Sequence, residues 1–331
     1  MPIIECIPNF SEGSNIETLL EIAKAIQSVK GVQLLHQDSG VAANRTVFTY
    51  AGEVDAVFEA TYKAIQLASK SIDMRIQQGE HPRIGACDVC PFVPISGITM
   101  NELVAKVNSF AEKVSNNLDI PIFLYEHSAK SDDRRNLAKH RVGDYEQLQN
   151  RITTKSWLPD FGKFNAKTGG TVMGARNFLV AYNINLNTKD AKIAQEIAYD
   201  LRELGRPIGK ESGSMIYRPG KLQKVKAIGW YIEDFNIAQV SINLTDYKIT
   251  SLYEVFETTK LLAEKYGVRV TGSELIGLLP KSALLETGEL YAKNQTMPEQ
   301  EYILLAVNKL GLSNLLPFEP NLRILEYVMN A

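Results

Sequence analysis

Cysteine is scarce in this chain, which contains only Cys6, Cys87 and Cys90. Three thiols are too few for a disulfide framework, and their odd number favours a reducing compartment. No apolar run approaches the roughly 18 residues that a membrane span requires. The N-terminus reaches Glu5 and Pro8 too early for the apolar region of a secretory signal. We therefore expect a cytoplasmic protein with no membrane partner.

An excess of basic residues is also missing. The 331 residues include 36 lysines and arginines and 38 aspartates and glutamates, which gives a net charge of -2. Nucleic-acid-binding proteins usually carry a clear basic excess, so this composition argues against that class. It leaves room for a local basic groove that binds a small anion. The length predicts about two domains of ordinary globular composition.

The predicted secondary structure has the same order in both halves of the chain. In the first half, β-α-β-β-α-β is followed by a further helix and strand, and this beginning is typical of a ferredoxin-like unit. Its predicted strands are 3–7, 32–35, 45–50, 89–95 and 120–125, with helices starting near Ile16, Val54 and Thr99. Two prolines in 89–95 favour an edge position for that strand.

Residues 127–170 are polar and irregular, with one predicted helix over 135–152 and a glycine-rich loop at 163–170. The β-α-β-β-α-β pattern then restarts at 177, with Asp234, Phe235 and Asn236 predicted as a hairpin turn. We predict an α+β protein of two ferredoxin-like α/β-sandwich subdomains, 1–178 and 179–331. A ligand cleft is expected between them.

His81 is the strongest candidate for chemistry, because histidine is the side chain whose charge changes near neutral pH. The chain has only four histidines, and this one has Glu80, Arg83 and Asp88 close by in sequence. Pro82 favours an extended or turn conformation at His81, which indicates a loop. Functional side chains are often found on such loops. The alternative is an ordinary surface or capping histidine.

Other motifs carry weaker signals. Cys87 and Cys90 have C-x-x-C spacing, but a zinc site needs a second pair and only Cys6 remains, so no metal is expected. Residues 205–211 lack the spacing and the hydroxyl of a phosphate loop. The glycine-rich stretch 169–176 is accompanied by Lys163, Lys167 and Arg176, which together favour ligand contact over a simple linker.

Five segments together resemble the glutamate formimidoyltransferase family, nearly from end to end. They are 4–13 (IECIPNFSEG), 44–47 (NRTV), 79–92 (GEHPRIGACDVCPF), 172–179 (VMGARNFL) and 228–231 (IGWY). The resemblance implies two α/β subdomains with folate between them. It implies transfer of a formimidoyl group from N-formimidoyl-L-glutamate to N5 of the co-substrate tetrahydrofolate, releasing L-glutamate in histidine degradation. A homo-oligomer, here a homodimer, is also expected.

The resemblance also implies roles for individual residues. The essential histidine falls on His81, and Asp38 matches a catalytic-site aspartate. The folate-binding segment falls on Lys163, Phe164, Asn165, Ala166, Lys167, Thr168, Gly169, Gly170, Thr171 and Val172, with Arg176 nearby. Polar residues at strand ends make Asn44 and Arg45 candidates for substrate binding, and Arg45 or Arg83 has the fork geometry that holds a carboxylate.

Three alternatives stay open on the sequence. The first is formyl transfer between 5-formyltetrahydrofolate and glutamate, since sequence does not separate an amidine donor from an amide donor. The second is a folate-binding protein without turnover, although binding alone does not require an acid–base group such as His81. The third is a metal or thiol protein that uses Cys87 and Cys90.

Overall fold

The computed structural model describes residues 1–41, 43–211, 214–233 and 235–329. The chain divides into two compact units, Met1–Asn177 and Phe178–Ala331. The strands of the first unit are β1 (Ile3–Cys6), β2 (Asn9–Phe10), β3 (Val32–Gly40), β4 (Arg45–Glu53), β5 (Cys87–Ser96), β6 (Ile122–Leu124) and β7 (Thr171–Ala175). Its helices are α1 (Ile16–Gln27), α2 (Val54–Ser71), α3 (Met100–Leu118), α4 (Leu137–His140) and α5 (Asp144–Thr153).

The sheet of the first unit contains the strand order of a ferredoxin-like unit. Strands β3, β4, β1 and β5 lie side by side and pair antiparallel, with β2 between β4 and β5 further along. Strand β7 adds to β5 in parallel, and β6 adds to β7 in parallel. This confirms the predicted β-α-β-β-α-β order and explains the extra helix and strand as an extension of the same sheet.

The prediction that β5 is an edge strand is wrong, because β5 pairs with β1 and β2 on one side and β7 on the other. Its prolines are accommodated locally. The Pro91 carbonyl still accepts a hydrogen bond from Ile7 N at 3.1 Å. Pro94 lies beside a register shift between Ile3 and Ile4 of β1, where an interrupted ladder tolerates a residue without an amide hydrogen.

One face of this sheet forms the main core with α1, α2 and α3. Helix α3 begins with the predicted capping box, in which Thr99 and Glu102 exchange backbone and side-chain hydrogen bonds. All three cysteines are free and buried in this core. The thiols of Cys6 and Cys90 lie 3.7 Å apart. Burial raises the pKa of the Cys90 thiol well above its usual value, which disfavours a reactive thiolate.

The opposite face, over β5, β7 and β6, is covered by residues 137–164. Here Ile84, Val89, Phe123 and Leu148 form a second small core. The single helix predicted over 135–152 is wrong, since the structure divides it into α4 and α5. Gly143, with a φ of 73°, stands between the two helices, and that left-handed conformation interrupts a helix.

The second unit is a four-stranded antiparallel sheet in the order β11-β12-β8-β13, which is again ferredoxin-like. Its strands are β8 (Val180–Leu186), β9 (Arg206–Glu211), β10 (Ser214–Arg218), β11 (Val225–Ile232), β12 (Ile237–Leu244) and β13 (Val270–Ile276). Its helices are α6 (Ala191–Leu201), α7 (Leu252–Lys265), α8 (Lys281–Ala292), α9 (Glu299–Leu310), α10 (Pro320–Arg323) and α11 (Leu325–Met329).

Strands β11 and β12 pair antiparallel as predicted. Asp234 of the predicted hairpin turn lies outside the described residues. The sequence patterns missed the β9–β10 ribbon, which contains most of the rejected phosphate-loop motif, and helices α8 to α11. Within the described ranges, no helix is both long enough and apolar enough to cross a membrane.

Candidate active site around His81

Three polar side chains lie on one face of the first sheet, opposite its main core. Asn9 of β2 and Asp38 of β3 both pair with Val47 of β4, so the side chains of Asn9 and Asp38 lie on the same face of the sheet as that of Val47. Arg45 lies on that same face because side chains alternate along a strand. Phe48 and Tyr50, at the intervening positions, are fully buried in the main core. The strand pairing therefore gathers polar groups where the sheet carries no helix of the main core.

His81 lies against Arg45 of this face. Arg45 Nη1 is 2.6 Å from His81 Nδ1 and 3.1 Å from Nε2, and His81 Nδ1 is also 2.7 Å from the Pro82 carbonyl oxygen. An arginine only donates and a carbonyl only accepts. A proton on Nδ1 lets Nδ1 donate to Pro82 and Nε2 accept from Arg45, whereas a proton on Nε2 lets Nδ1 accept from Arg45. In either neutral tautomer one ring nitrogen accepts from Arg45.

The imidazole of His81 is held in its neutral form. Burial is the largest cause that lowers its pKa from 6.5 to about 4. The positive charges of Arg45 and Arg141 contribute to this shift, while the Pro82 carbonyl and Asp88 oppose it. At neutral pH the ring is therefore able to accept a proton. Once charged, it is a strong enough acid to give that proton away again.

Asp88 anchors the polar cluster from β5, and its side chain is only 1% exposed. Its Oδ1 accepts from Ile84 N at 2.9 Å, which fixes the chain just after the His81 loop. Its Oδ2 contacts Arg45 Nη1 at 3.4 Å and also pairs with Arg141. Burial lowers the pKa of Arg45 to about 10 although Asp88 opposes the shift, so Arg45 remains a cation at neutral pH.

Asn44 braces the loops around His81. It adopts a left-handed φ of 45°, which asparagine tolerates better than most residues. Its Oδ1 accepts from Gly13 N at 2.9 Å, and its Nδ2 donates to the Gln78 carbonyl at 2.6 Å. Both ends of the amide are therefore used to tie the loop before His81 to the loop after β2.

Arg83 is buried and turned to a different partner. Its guanidinium donates to both carboxylate oxygens of Glu146, at 2.7 and 2.8 Å, and to the side chain and carbonyl of Gln77. This two-point pairing of the Arg83 guanidinium with Glu146 attaches the chain that follows His81 to α5. Its predicted role in substrate binding is not tested by these contacts and stays a prediction.

The segment 163–172 is joined by hydrogen bonds to the chain that follows His81. Ala86 N donates to the Thr168 carbonyl at 2.8 Å, and Gly170 N donates to the Ile84 carbonyl at 2.9 Å. Gly85 and Gly169 face each other so closely that a Cβ on Gly85 would lie 2.2 Å from the Gly170 oxygen. We call residues 84–86 and 168–170 the seam.

The charged residues near this segment have separate positions. Lys167 donates from Nζ to the Lys70 carbonyl at 2.7 Å, at the end of α2. Lys163 is exposed. Arg176 donates to the Asn177 carbonyl at 2.9 Å. The Asp38 side chain has no hydrogen bond or ion pair among the residues that the structure describes, so its carboxylate is available on the face that carries Arg45.

Known sequences match both units. Residues 3–176 match the N-terminal subdomain of the formiminotransferase domain, and residues 181–330 match the formiminotransferase domain that follows it. The chain belongs to the formiminotransferase domain family. The resemblance in the five sequence segments is thereby confirmed, as is the α+β fold of two subdomains.

Individual relatives of the family span different lengths. Glutamate formimidoyltransferase of Streptococcus pyogenes serotype M1 is 43% identical over 304 residues, covering 91% of this chain and 97% of that protein. The Thermoplasma acidophilum protein of the same name is 37% identical, covering 88% and 92%. The formimidoyltransferase-cyclodeaminase of Rattus norvegicus is 43% identical over 99% of this chain, which spans only 60% of the rat protein.

Sequence reasoning missed two members of this formiminotransferase-family site and undervalued a third. The sequence patterns single out neither Arg141 nor Asn9, and they present Asp88 only as a neighbour of His81. Asn9 accepts from both Arg45 Nε and Nη2, at 3.0 and 2.5 Å. Its position directly after a short strand is a signal that was available. Arg141 lies in a charged, aperiodic stretch that gave no signal of its own.

The residues that the structure describes contain no group of three potential metal ligands. Cys87 and Cys90 start β5 and are buried in the main core with Cys6.

Proposed function

We propose that this formiminotransferase-family protein transfers a formimidoyl group from N-formimidoyl-L-glutamate to N5 of tetrahydrofolate and releases L-glutamate. The observation that carries the proposal is the neutral, half-buried imidazole of His81 beside the Arg45 cation. The identity to glutamate formimidoyltransferases over most of the chain supports the choice of substrates.

His81 serves as general base and then as general acid. It accepts the proton that N5 loses as the new N–C bond forms. It then returns a proton to the glutamate nitrogen as the old C–N bond breaks. A single positioned histidine contributes about 10²- to 10⁴-fold in such transfers. Holding both substrates in attack geometry supplies about 7–11 kcal/mol more, so no covalent enzyme intermediate is required.

Arg45 and Asp38 are proposed to orient the donor. Arg45 carries a positive charge beside His81 and is suited to hold a carboxylate. Asp38 lies on the same sheet face and offers a negative charge to the amidinium end of the donor. Asn44 and Arg83 are also proposed to bind the donor, and their contacts to Gln78 and Glu146 hold them beside the His81 loop.

The segment 163–172 is proposed to bind the folate co-substrate. The seam supports this assignment, because it attaches the segment to the chain that follows His81. The exposed cation of Lys163 and that of Arg176 are suited to the negatively charged glutamyl tail of folate.

We further propose that the protein acts in histidine degradation as a cytoplasmic homodimer. Three free, buried cysteines are in keeping with a reducing compartment. The dimer follows from the family resemblance and is checked by light scattering of the purified protein.

Mass spectrometry of the products tests the proposed reaction. The purified protein is mixed with tetrahydrofolate and N-formimidoyl-L-glutamate, and in parallel with 5-formyltetrahydrofolate and glutamate. We expect formimidoyl-tetrahydrofolate and free glutamate from the first mixture. Product from the second mixture only would indicate formyl transfer, and folate binding without product would indicate a binding protein.

A further inference from the structure

Two arginines converge on one buried carboxylate beside His81. Arg45 and Arg141 both pair with Asp88, and their side chains are only 14% and 13% exposed. The three groups together carry one uncompensated positive charge, since His81 is neutral. A largely buried positive charge is costly unless an anion compensates it.

Arg141 is held from both sides by its surroundings. It follows α4, and Arg151 donates to the carbonyls of both His140 and Val142, at 2.7 and 3.0 Å. The His140 ring is fixed in turn, because it accepts from Trp157 Nε1 at 3.1 Å and donates to the Arg134 carbonyl at 2.7 Å. The main chain on either side of Arg141 is therefore anchored, and its guanidinium is pre-organised.

Arg141 retains a donor that the protein does not use. Its Nε–H is buried and finds no hydrogen-bond acceptor among the residues that the structure describes, although the same guanidinium pairs with Asp88. An unsatisfied buried donor is costly to stability. Its presence next to a net positive charge points to an anionic acceptor supplied by a ligand.

We propose that Arg141, together with Arg45, binds the α-carboxylate of the formimidoylglutamate donor and so selects an α-amino-acid donor. This rests on the proposed function. The α-carbon of the donor carries both this carboxylate and the nitrogen that His81 must protonate. The carboxylates of the folate tail are separated from N5 by the p-aminobenzoyl group, which places them too far from His81 to be the ligand.

Donor analogues test this assignment. The variants are Arg141→Met and Arg141→Lys, and the control is Arg135→Met, an exposed arginine of the same polar segment whose Nε pairs with Asp132. Each protein is assayed with N-formimidoyl-L-glutamate, with N-formimidoyl-γ-aminobutyrate, which lacks the α-carboxylate, and with N-formimidoyl-L-2-aminobutyrate, which lacks only the side-chain carboxylate. Thermal unfolding shows whether each variant is folded.

We expect Arg141→Met to lower kcat/KM roughly 10- to 100-fold for the two donors that have an α-carboxylate. The loss should disappear with the γ-aminobutyrate derivative, and KM for tetrahydrofolate should not change. Arg141→Lys, which keeps the charge, should lose less. Should Arg141→Met fail to fold, the same comparison between donors is made on Arg141→Lys.

An equal loss with all three donors, no loss, or a raised KM for tetrahydrofolate instead would overturn the assignment of Arg141. These results differ from a failure of the proposed function, in which the wild-type protein itself forms no formimidoyl-tetrahydrofolate.

Discussion

Arg45 Nη1 lies 2.6 Å from His81 Nδ1 and 3.1 Å from Nε2, so that a fixed cation stands directly beside the candidate base. The cation and the burial of the ring hold His81 neutral in the free protein. A carboxylate bound to Arg45 would offset the positive charge and raise the pKa of His81 toward neutrality. Donor binding and the basicity of the catalytic group are therefore coupled in this account.

The pH dependence of turnover checks this arrangement. Because burial and Arg45 lower the pKa of His81 to about 4, the free enzyme keeps a neutral base down to acidic pH. We expect kcat/KM to be level from neutral pH to about 5 and to fall below that, with kcat showing a higher apparent pKa once the donor is bound. A fall in kcat/KM centred near 6.5 would show an unperturbed histidine and contradict the account.

Because the backbone is closely packed at the seam, we expect Gly85→Ala to destabilise the protein. The new Cβ would lie 2.2 Å from the Gly170 oxygen and 2.8 Å from the Thr168 oxygen, which are backbone atoms that cannot move aside cheaply. We expect a loss of about 1–3 kcal/mol in the free energy of unfolding and weaker folate binding. Gly209→Ala is the control, since a Cβ there meets no atom within 4 Å. Equal stability of the two variants in urea unfolding would argue against the seam.

Because His140 is buried in its neutral form, we expect the protein to lose stability on acidification. Burial lowers its pKa from 6.5 to about 4 in the folded protein. Between those values the unfolded chain takes up a proton that the folded protein does not, so stability is complete above pH 6.5 and falls as pH drops toward 4. The loss amounts to about 3 kcal/mol at most.

Unfolding by urea at several pH values measures this effect. In His140→Gln the free energy of unfolding should depend less on pH, because unfolding no longer takes up the proton of His140. The control is His127→Gln, a change at an exposed histidine, which should leave the pH dependence of the free energy of unfolding as it is. An unchanged dependence in His140→Gln would show that this ring does not remain neutral in the fold.

The sequence predicted those parts of the molecule whose signals are local. Alternating and helical periods located most strands of both sheets, although they missed β2 and β7, and the Gly and Pro residues around His81 marked its loop. Arg141 was not predictable, because its importance depends on contact with Asp88, which is distant in sequence. The division between α4 and α5 depended on one glycine, Gly143, in a polar stretch for which a continuous helix was predicted.

The seam was not predictable either. Neither Gly85 nor Gly169 signals a partner by itself, and only the folded chain shows that their backbones meet. In the same way, Asn44 and Arg83 have the side chains expected of ligand-binding residues, and only the structure shows their hydrogen bonds to Gln78 and Glu146. Residue type alone does not separate support of a loop from contact with a substrate.

The most direct test of the central claim compares the wild-type protein with His81→Ala in a single assay of formimidoyl-tetrahydrofolate formation. The account predicts product from the wild type and a kcat lower by about 10²-fold or more in the variant, with an unchanged thermal unfolding midpoint. Turnover close to that of the wild type in a folded His81→Ala protein would contradict the assignment of His81 as the acid–base group.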